Sequence, residues 1–312
     1  MKKTIQRQGR PTIGTRRTLA GMAFGLVWLL SAPGMARAQY AFTQIDVPGA
    51  AATYADGNIM HRVVGEFDDQ DGNTHGFVLR AGEFTQYDVP GADGYTSING
   101  INGSGDRAGI YFANDRFYGY FWSRGVVTTL DPPDTNFSVA SFVNSKGEVV
   151  GYSRKDVEPR HGFVWRDGVF TPIDVPGASN RGTRPIGNND RGQVVGGYGD
   201  PDGHLHGFLL SEGVYTKFAA PGSTEGDGFT WPQGINNYGQ IVGFYAKADG
   251  TDHGFVMSKK GFTTIDVPDS LWTDIYSIDA KGNIVGAFED ATGIHGFRGT
   301  PAGRLEADSS EE

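Results

Sequence analysis

Apolar and polar positions alternate along this chain in short runs, and from Phe42 onward the same runs recur. Phe-Thr-x-Ile-Asp-Val-Pro begins at Phe42, Phe84, Phe170 and Phe262, with looser copies starting at Val127 and Tyr215. His-Gly-Phe stands at His75, His161, His206, His253 and His295, and Tyr118-Gly119-Tyr120 fills the remaining slot. A third run, Ile/Val-Val-Gly, ends at Gly65, Gly151, Gly196, Gly243 and Gly286, with a weak copy at 107–110. Before it comes an Asn-x-x-Gly turn at 102–105, 144–147, 189–192 and 236–239, and 279–282 is a close variant. The first repeat departs, with His61 where the turn glycine is expected. The period is about 43 residues.

Each run is short, rich in Val, Ile, Phe, Tyr and Thr, and bounded by Gly, Asn, Asp or Pro, as strands and tight turns are. No stretch after Tyr40 carries a 3.6-residue apolar period. Asn can hydrogen-bond the backbone ahead of it, and Gly accepts a positive φ cheaply. Asn-x-x-Gly therefore reads as a type I turn followed by a left-handed residue. One repeat then gives four antiparallel strands, which is the blade of a β-propeller.

Counting from Thr53, five repeats are complete, and the sixth, about 271–300, lacks its Ile-Asp-Val-Pro strand. The orphan copy at 42–47 supplies it. The expected fold is an all-β, six-bladed propeller over residues 39–301, closed by the N-terminal strand pairing with the last blade. Closure leaves no free sheet edge. An open solenoid is the alternative, and it would leave an unpaired strand at each end.

The pattern INNxGQIVGxY…GxxHGFV…FTxIDVPGA resembles the bacterial HAF-type extracellular repeat, and the similarity covers essentially all of 42–298. Two departures stand out. His-Gly-Phe replaces the His-Ala-Phe tripeptide, and Ile-Asp-Val-Pro-Gly-Ala replaces a more leucine-rich strand. The resemblance implies an exported repeat protein. It implies no established activity, and no catalytic residue carries over from it.

The first 38 residues change the charge and the expected location. A basic start (Lys2, Lys3, Arg7, Arg10, Arg16, Arg17) precedes an apolar stretch at 19–30 and the small-residue site Ala36-Arg37-Ala38. This reads as an export signal, too short in its apolar part for a stable membrane span. An uncleaved anchor is the other reading. The pair Arg16-Arg17 resembles a twin-arginine signal, with ordinary Sec export as the alternative. Removing the segment takes away seven basic groups and no acidic ones, so the formal charge moves from −9 to −16. Such a chain repels phosphate backbones and anionic membrane surfaces, which makes nucleic acid an unsuitable partner. The expected location is extracellular or periplasmic. Cysteine is absent, which excludes disulfides, thiolate metal sites and Cys nucleophiles. The tail 302–312 is acidic and apolar-poor, as disordered segments are.

Candidate chemistry follows from the blade. Turns after strands one and three share an end and are short and regular. Loops after strands two and four share the other end and vary from blade to blade, and binding resides on such loops. There an aromatic precedes the Thr or Ser that begins the innermost strand: Tyr95, Phe137, Phe229 and Trp272, with Trp231 beside the third. With Asp93, Asp134, Asp227 and Asp274 nearby, these rings could form a collar that stacks on a sugar. The alternative is that they pack between blades. The repeated histidines and the aspartates Asp46, Asp88, Asp174 and Asp266 read as structural, because a catalytic site is singular. Asp68, Asp71, Asp200 and Asp202 lie in acidic hairpins that could offer oxygens to Ca²⁺, without completing an EF-hand. No cofactor is otherwise implied. Hydrolase, metalloprotease, phosphate-loop and dinucleotide motifs are absent.

The expected function is non-catalytic binding of a glycan, envelope component or protein on the variable loops. The alternative is an enzyme acting on a polysaccharide or similar extracellular polymer, of lyase or glycosidase type, using carboxylates or His61 and His204 near the channel mouth.

Overall fold

The computed structural model describes residues 40–223, 228–247 and 250–302. The expected export signal, and all of the expected acidic tail but Ala302, lie outside the described residues. Among the described residues are 24 strands that form six antiparallel meanders of four. Blade 1 runs Ala52–Ile59, Arg62–Asp68, Thr74–Arg80 and Glu83–Tyr87. The innermost strands of blades 2 to 6 are Thr96–Ile101, Phe137–Val143, Thr183–Asn188, Phe229–Ile235 and Trp272–Ile278. Each of the six packs against the next, and the last against Ala52–Ile59, which makes the ring. No helix among the described residues is long and apolar enough to cross a membrane.

Blade 6 takes its fourth strand from the other end of the chain. Tyr40–Ile45 pairs antiparallel with Ile294–Pro301, in register from Tyr40 with Pro301 to Ile45 with Gly296. The expected closure is therefore the one observed. Adjacent blades also touch through one-residue parallel bridges, at Ala52 with Ile294, Leu205 with Phe229, and Thr74 with Tyr95.

The repeated letters each have a mechanical reason. In Val-Val-Gly the two valines point to opposite faces, because successive strand residues alternate. Val149 packs in the core between blades 2 and 3, whereas Val150 packs between blades 3 and 4. Val194 and Val195 split in the same way one blade further on. The core is thus a set of inter-blade layers, and each blade contributes to two of them.

The glycine that follows makes room for the innermost strand. A Cβ on Gly65, Gly109, Gly151, Gly196, Gly243 or Gly286 would lie 1.9–2.2 Å from a backbone oxygen of that strand. The innermost strand shifts register opposite this glycine in all six blades. The extra residue at each bulge is turned inward, toward the axis.

The Thr at the start of each innermost strand fastens one blade to the next. Thr53, Thr96, Thr183, Thr230 and Thr273 accept, through Oγ1, the N–H of Val47, Val89, Val175, Ala220 and Val267 at 2.8–3.2 Å. Blade 2 ends instead in Pro132, which has no N–H. Its neighbour Ser138 accepts from Gly119 N–H at 3.0 Å and donates to the Leu130 carbonyl at 2.7 Å.

Candidate functional site

Two ends of the ring differ in what their residues do. At the regular end, the turn asparagines serve twice. Oδ1 of Asn144 accepts the N–H groups of Lys146 and Glu148, each at 3.0 Å, and so shapes its own turn. Its Nδ2 donates to the carbonyl of Asn189 in the next blade at 3.1 Å. Asn102, Asn189 and Asn236 donate onward in the same way, to Asn144, Asn236 and Asp279. The relay stops at Asp279, whose carboxylate cannot donate. The left-handed turn glycines are as expected, with φ of 75–90° from Gly105 to Gly282. Blade 1 replaces this turn with a tighter one, in which Met60 takes φ 51° and His61 follows.

At the other end, the repeated histidines and aspartates prove to be partners of each other. Nδ1 of His75, His161, His253 and His295 lies 2.9–3.0 Å from Asp88, Asp174, Asp266 and Asp46. In blade 4 the aspartate slot holds Ala219, and His206 turns to Asp200 at 2.7 Å. In blade 2, where Tyr118 replaces the histidine, Arg116 takes Asp131. Except for His206–Asp200, which ties the third strand to its own hairpin, these pairs brace the third strand against the fourth, beneath the variable loops.

The acidic hairpins spend their carboxylates in the same way. Asp69, adjacent to the calcium candidates, accepts the N–H groups of Asp71 and Asn73 and faces His75 at 3.3 Å. The Asn73 amide is the main reason its pKa falls to about 2. Asp68 accepts the Thr74 hydroxyl at 2.7 Å. Asp200 takes the His204 N–H and the His206 ring, which lower its pKa against the opposing effect of burial. Among the described residues, no three His, Asp or Glu side chains converge as metal ligands would. Asp71 and Asp202 add no second set.

The aromatic collar is corrected. Trp231 is fully buried, and Phe229 and Trp272 are buried with it in inter-blade layers. Trp231 fits because blade 4 offers Gly197, where a Cβ would stand 2.4 Å from the indole. Trp272 donates Nε1–H to Glu289. Phe137 is half-buried beneath Arg154, 5.1 Å from its ring centre. Rings placed this way hold blades together and cannot stack on a ligand. Asp274 is buried too, Asp93 is exposed, and Asp227 lies outside the described residues. Of the collar, Tyr95 alone reaches the central cavity, where its O–H donates to Glu66 at 3.0 Å.

His61 and His204 sit at opposite ends of the ring, one in a first-to-second strand turn and the other in a second-to-third strand hairpin. They cannot share a site, so the two histidines do not act together.

What sequence reasoning missed is the cavity on the axis. Its wall includes the six bulge residues, one per blade: Asp56, Asn99, Ser141, Ile186, Gln233 and Tyr276. Inside a repeat that is otherwise regular, this position holds six different side chains, which is the signal that could have revealed it. The cavity volume is about 40 Å³. That suits a few waters and falls well below the ~150 Å³ of a cavity that admits benzene. A sugar ring does not fit in a cavity of that size.

No family model matches this chain, and no curated protein does. Solved structures match at low identity. The chain is similar to AofleA from Arthrobotrys oligospora over 85% of this chain and 84% of that one, with TM-score 0.53 and 12% identity. It is also similar to the Aleuria aurantia lectin, described as a six-bladed β-propeller with a novel fucose recognition mode, over 84% and 93%, with TM-score 0.50 and 12% identity. Virginiamycin B lyase from Staphylococcus aureus matches over 84% and 99%, with TM-score 0.47 and 10% identity. The fold class is thus that of the six-bladed β-propellers.

Proposed function

We propose that this protein is an exported, non-catalytic propeller that binds a carbohydrate on its variable-loop face. One observation carries the reading. The repeated polar residues are spent on holding blades and hairpins, so blade-to-blade variety is left to the loops of one end and to the six axial positions. Variation on a rigid frame is the arrangement of a recognition surface. The matched AofleA and Aleuria lectin folds support a carbohydrate ligand, because the latter was solved with α-methyl-L-fucoside. The HAF-type resemblance and the basic-apolar leader support export.

The test is a glycan array on residues 39–312. Val157→Ser and Leu271→Ser alter exposed apolar side chains of the variable end, and Met60→Ser and Tyr238→Ser alter exposed ones of the regular end. Binding should fall with the first pair and persist with the second. Equal losses from both ends, or no glycan bound, would overturn the reading. Export is tested separately, by fractionating cells that express the full chain.

A further inference from the structure

Four arginines gather at the variable end between blades 3 and 4. Arg154 closes the second strand of blade 3, and Arg160 precedes its third strand, His161–Arg166. Arg181 precedes the innermost strand of blade 4, and Arg184 is that strand's second residue. The backbone brings them together. Thr183 N–H donates to the Arg160 carbonyl at 2.9 Å. Gly182, at φ 70°, passes so close that a Cβ there would stand 2.0 Å from the same oxygen. Aromatic rings support two of the guanidiniums: Arg154 lies over Phe137 at 5.1 Å and Arg184 over Trp231 at 5.0 Å.

Among the described residues, none of the four guanidiniums makes a salt bridge or hydrogen bond. The Nε atoms of Arg154 and Arg160 are buried without a partner. The carboxylates of the intervening hairpin are engaged elsewhere or face solvent: Asp156 takes the Asn136 amide, and Glu158 is exposed. A guanidinium stays charged at any physiological pH, so the cluster cannot relieve its repulsion by losing a proton. Burial, and then the neighbouring arginines, pull Arg184 down to about 10 against an opposing effect of Tyr152. In a chain whose formal charge is −9, four adjacent uncompensated cations need a reason. Arg154, Arg160 and Arg184 are half-buried while Arg181 is exposed, and half-buried charge is costly unless an opposite charge meets it.

We infer that Arg154, Arg160, Arg181 and Arg184 form a docking site for the anionic group, a carboxylate or a sulfate ester, of an acidic saccharide. The planar fork of arginine matches both groups with two parallel hydrogen bonds. The site lies on the mouth, outside the cavity that is too small for a sugar. The ligand's charge follows from the arginines, whereas its saccharide body rests on the carbohydrate reading above.

Calorimetric titration separates the two. The probes are tetragalacturonate, neutral galactotetraose and inorganic sulfate, each at low and high salt. The variants are Arg160→Gln and Arg181→Gln, with Arg191→Gln in a turn of the regular end as control, all checked for an unchanged melting transition. Tetragalacturonate should bind more tightly than galactotetraose, and weaken by about tenfold or more in either arginine variant but not in the control. A smaller salt dependence should accompany that loss. Equal binding of the acidic and neutral oligosaccharides, unchanged in the arginine variants, would overturn the arginine site and leave the carbohydrate reading standing. Sulfate binding lost in the variants, with neither oligosaccharide bound, would support the anion site and overturn the saccharide. No binding of any probe would overturn both.

Discussion

His295 and Asp46 are joined by a 2.9 Å hydrogen bond across 249 residues of chain. The same pair elsewhere spans 13 residues, as in His75–Asp88, His161–Asp174 and His253–Asp266. Ring closure therefore uses the contact that blades 1, 3 and 5 make within a hairpin, with the ends of the chain supplying the two halves.

A chain that begins at Gln39 should fold, and one that begins at Ala50 should be severely weakened. The shorter chain loses Ile45 from the layer between blades 6 and 1, and Tyr40 and Phe42 from the layer between blades 5 and 6. At about 1.5–3 kcal/mol for each fully buried apolar side chain, less for the half-buried pair, the expected loss is about 3–6 kcal/mol. That is a large share of a domain's net stability. Denaturant titration of the two chains measures it, and equal midpoints would contradict the closure.

Gly197 and Trp231 should behave as a coupled pair. Gly197→Ala pushes a methyl into the indole and is expected to cost about 1–3 kcal/mol. In a Trp231→Leu background the same change should cost less, because the smaller side chain leaves room. Additive effects in the double mutant would mean that the two residues do not share the gap.

The asparagine relay separates turn shape from blade linkage. Asn189→Asp keeps the oxygen that accepts the Arg191 and Gln193 N–H groups, but loses the donor that reaches Asn236. It also brings a negative charge against that buried carbonyl. The expected cost is about 1–3 kcal/mol. The opposite change at the end of the relay, Asp279→Asn, should cost less, since the carboxylate there passes no hydrogen bond onward and the Asn283 amide, which now donates to it, can turn its oxygen to the new amide. Thermal unfolding of the two variants decides it.

Blade 1 carries a pH signature. Burial pulls the His75 pKa down, but Asp88 and Asp69 on its two nitrogens outweigh that and raise it above 6.5. Its charged form thus stabilises the fold fully below pH 6.5, and that contribution is lost as pH rises through the raised value. Asp69 behaves oppositely: its contribution is present above pH 3.8 and lost as pH falls through about 2. Wild type should therefore lose its advantage over His75→Asn as pH rises above 6.5, and over Asp69→Asn as pH falls below 3.8. Urea midpoints from about pH 2.5 to about pH 9 give the comparison, and parallel curves for wild type and His75→Asn would refute the pairing.

The repeat was legible because its letters obey local rules. Strand alternation, turn glycines and the orphan Phe42 strand depend on neighbours in sequence, so six blades and their closure could be read directly. The His–Asp pairs were read as structural, and their constant spacing of 13 could have named the partners. Burial of Trp231 could not be read, because it depends on Gly197, a distant glycine in another blade. The bulge residues were hidden because register shifts arise where two strands cross at a glycine. The arginines escaped notice because they belong to two repeats and meet only in space.

The register of Tyr40 with Pro301 has one more consequence. Both residues lie at the end of blade 6 that carries the asparagine turns, so the described chain enters and leaves the ring on that side. Tethering the protein to a sensor chip at Tyr40 or Pro301 would turn the variable rim toward the medium.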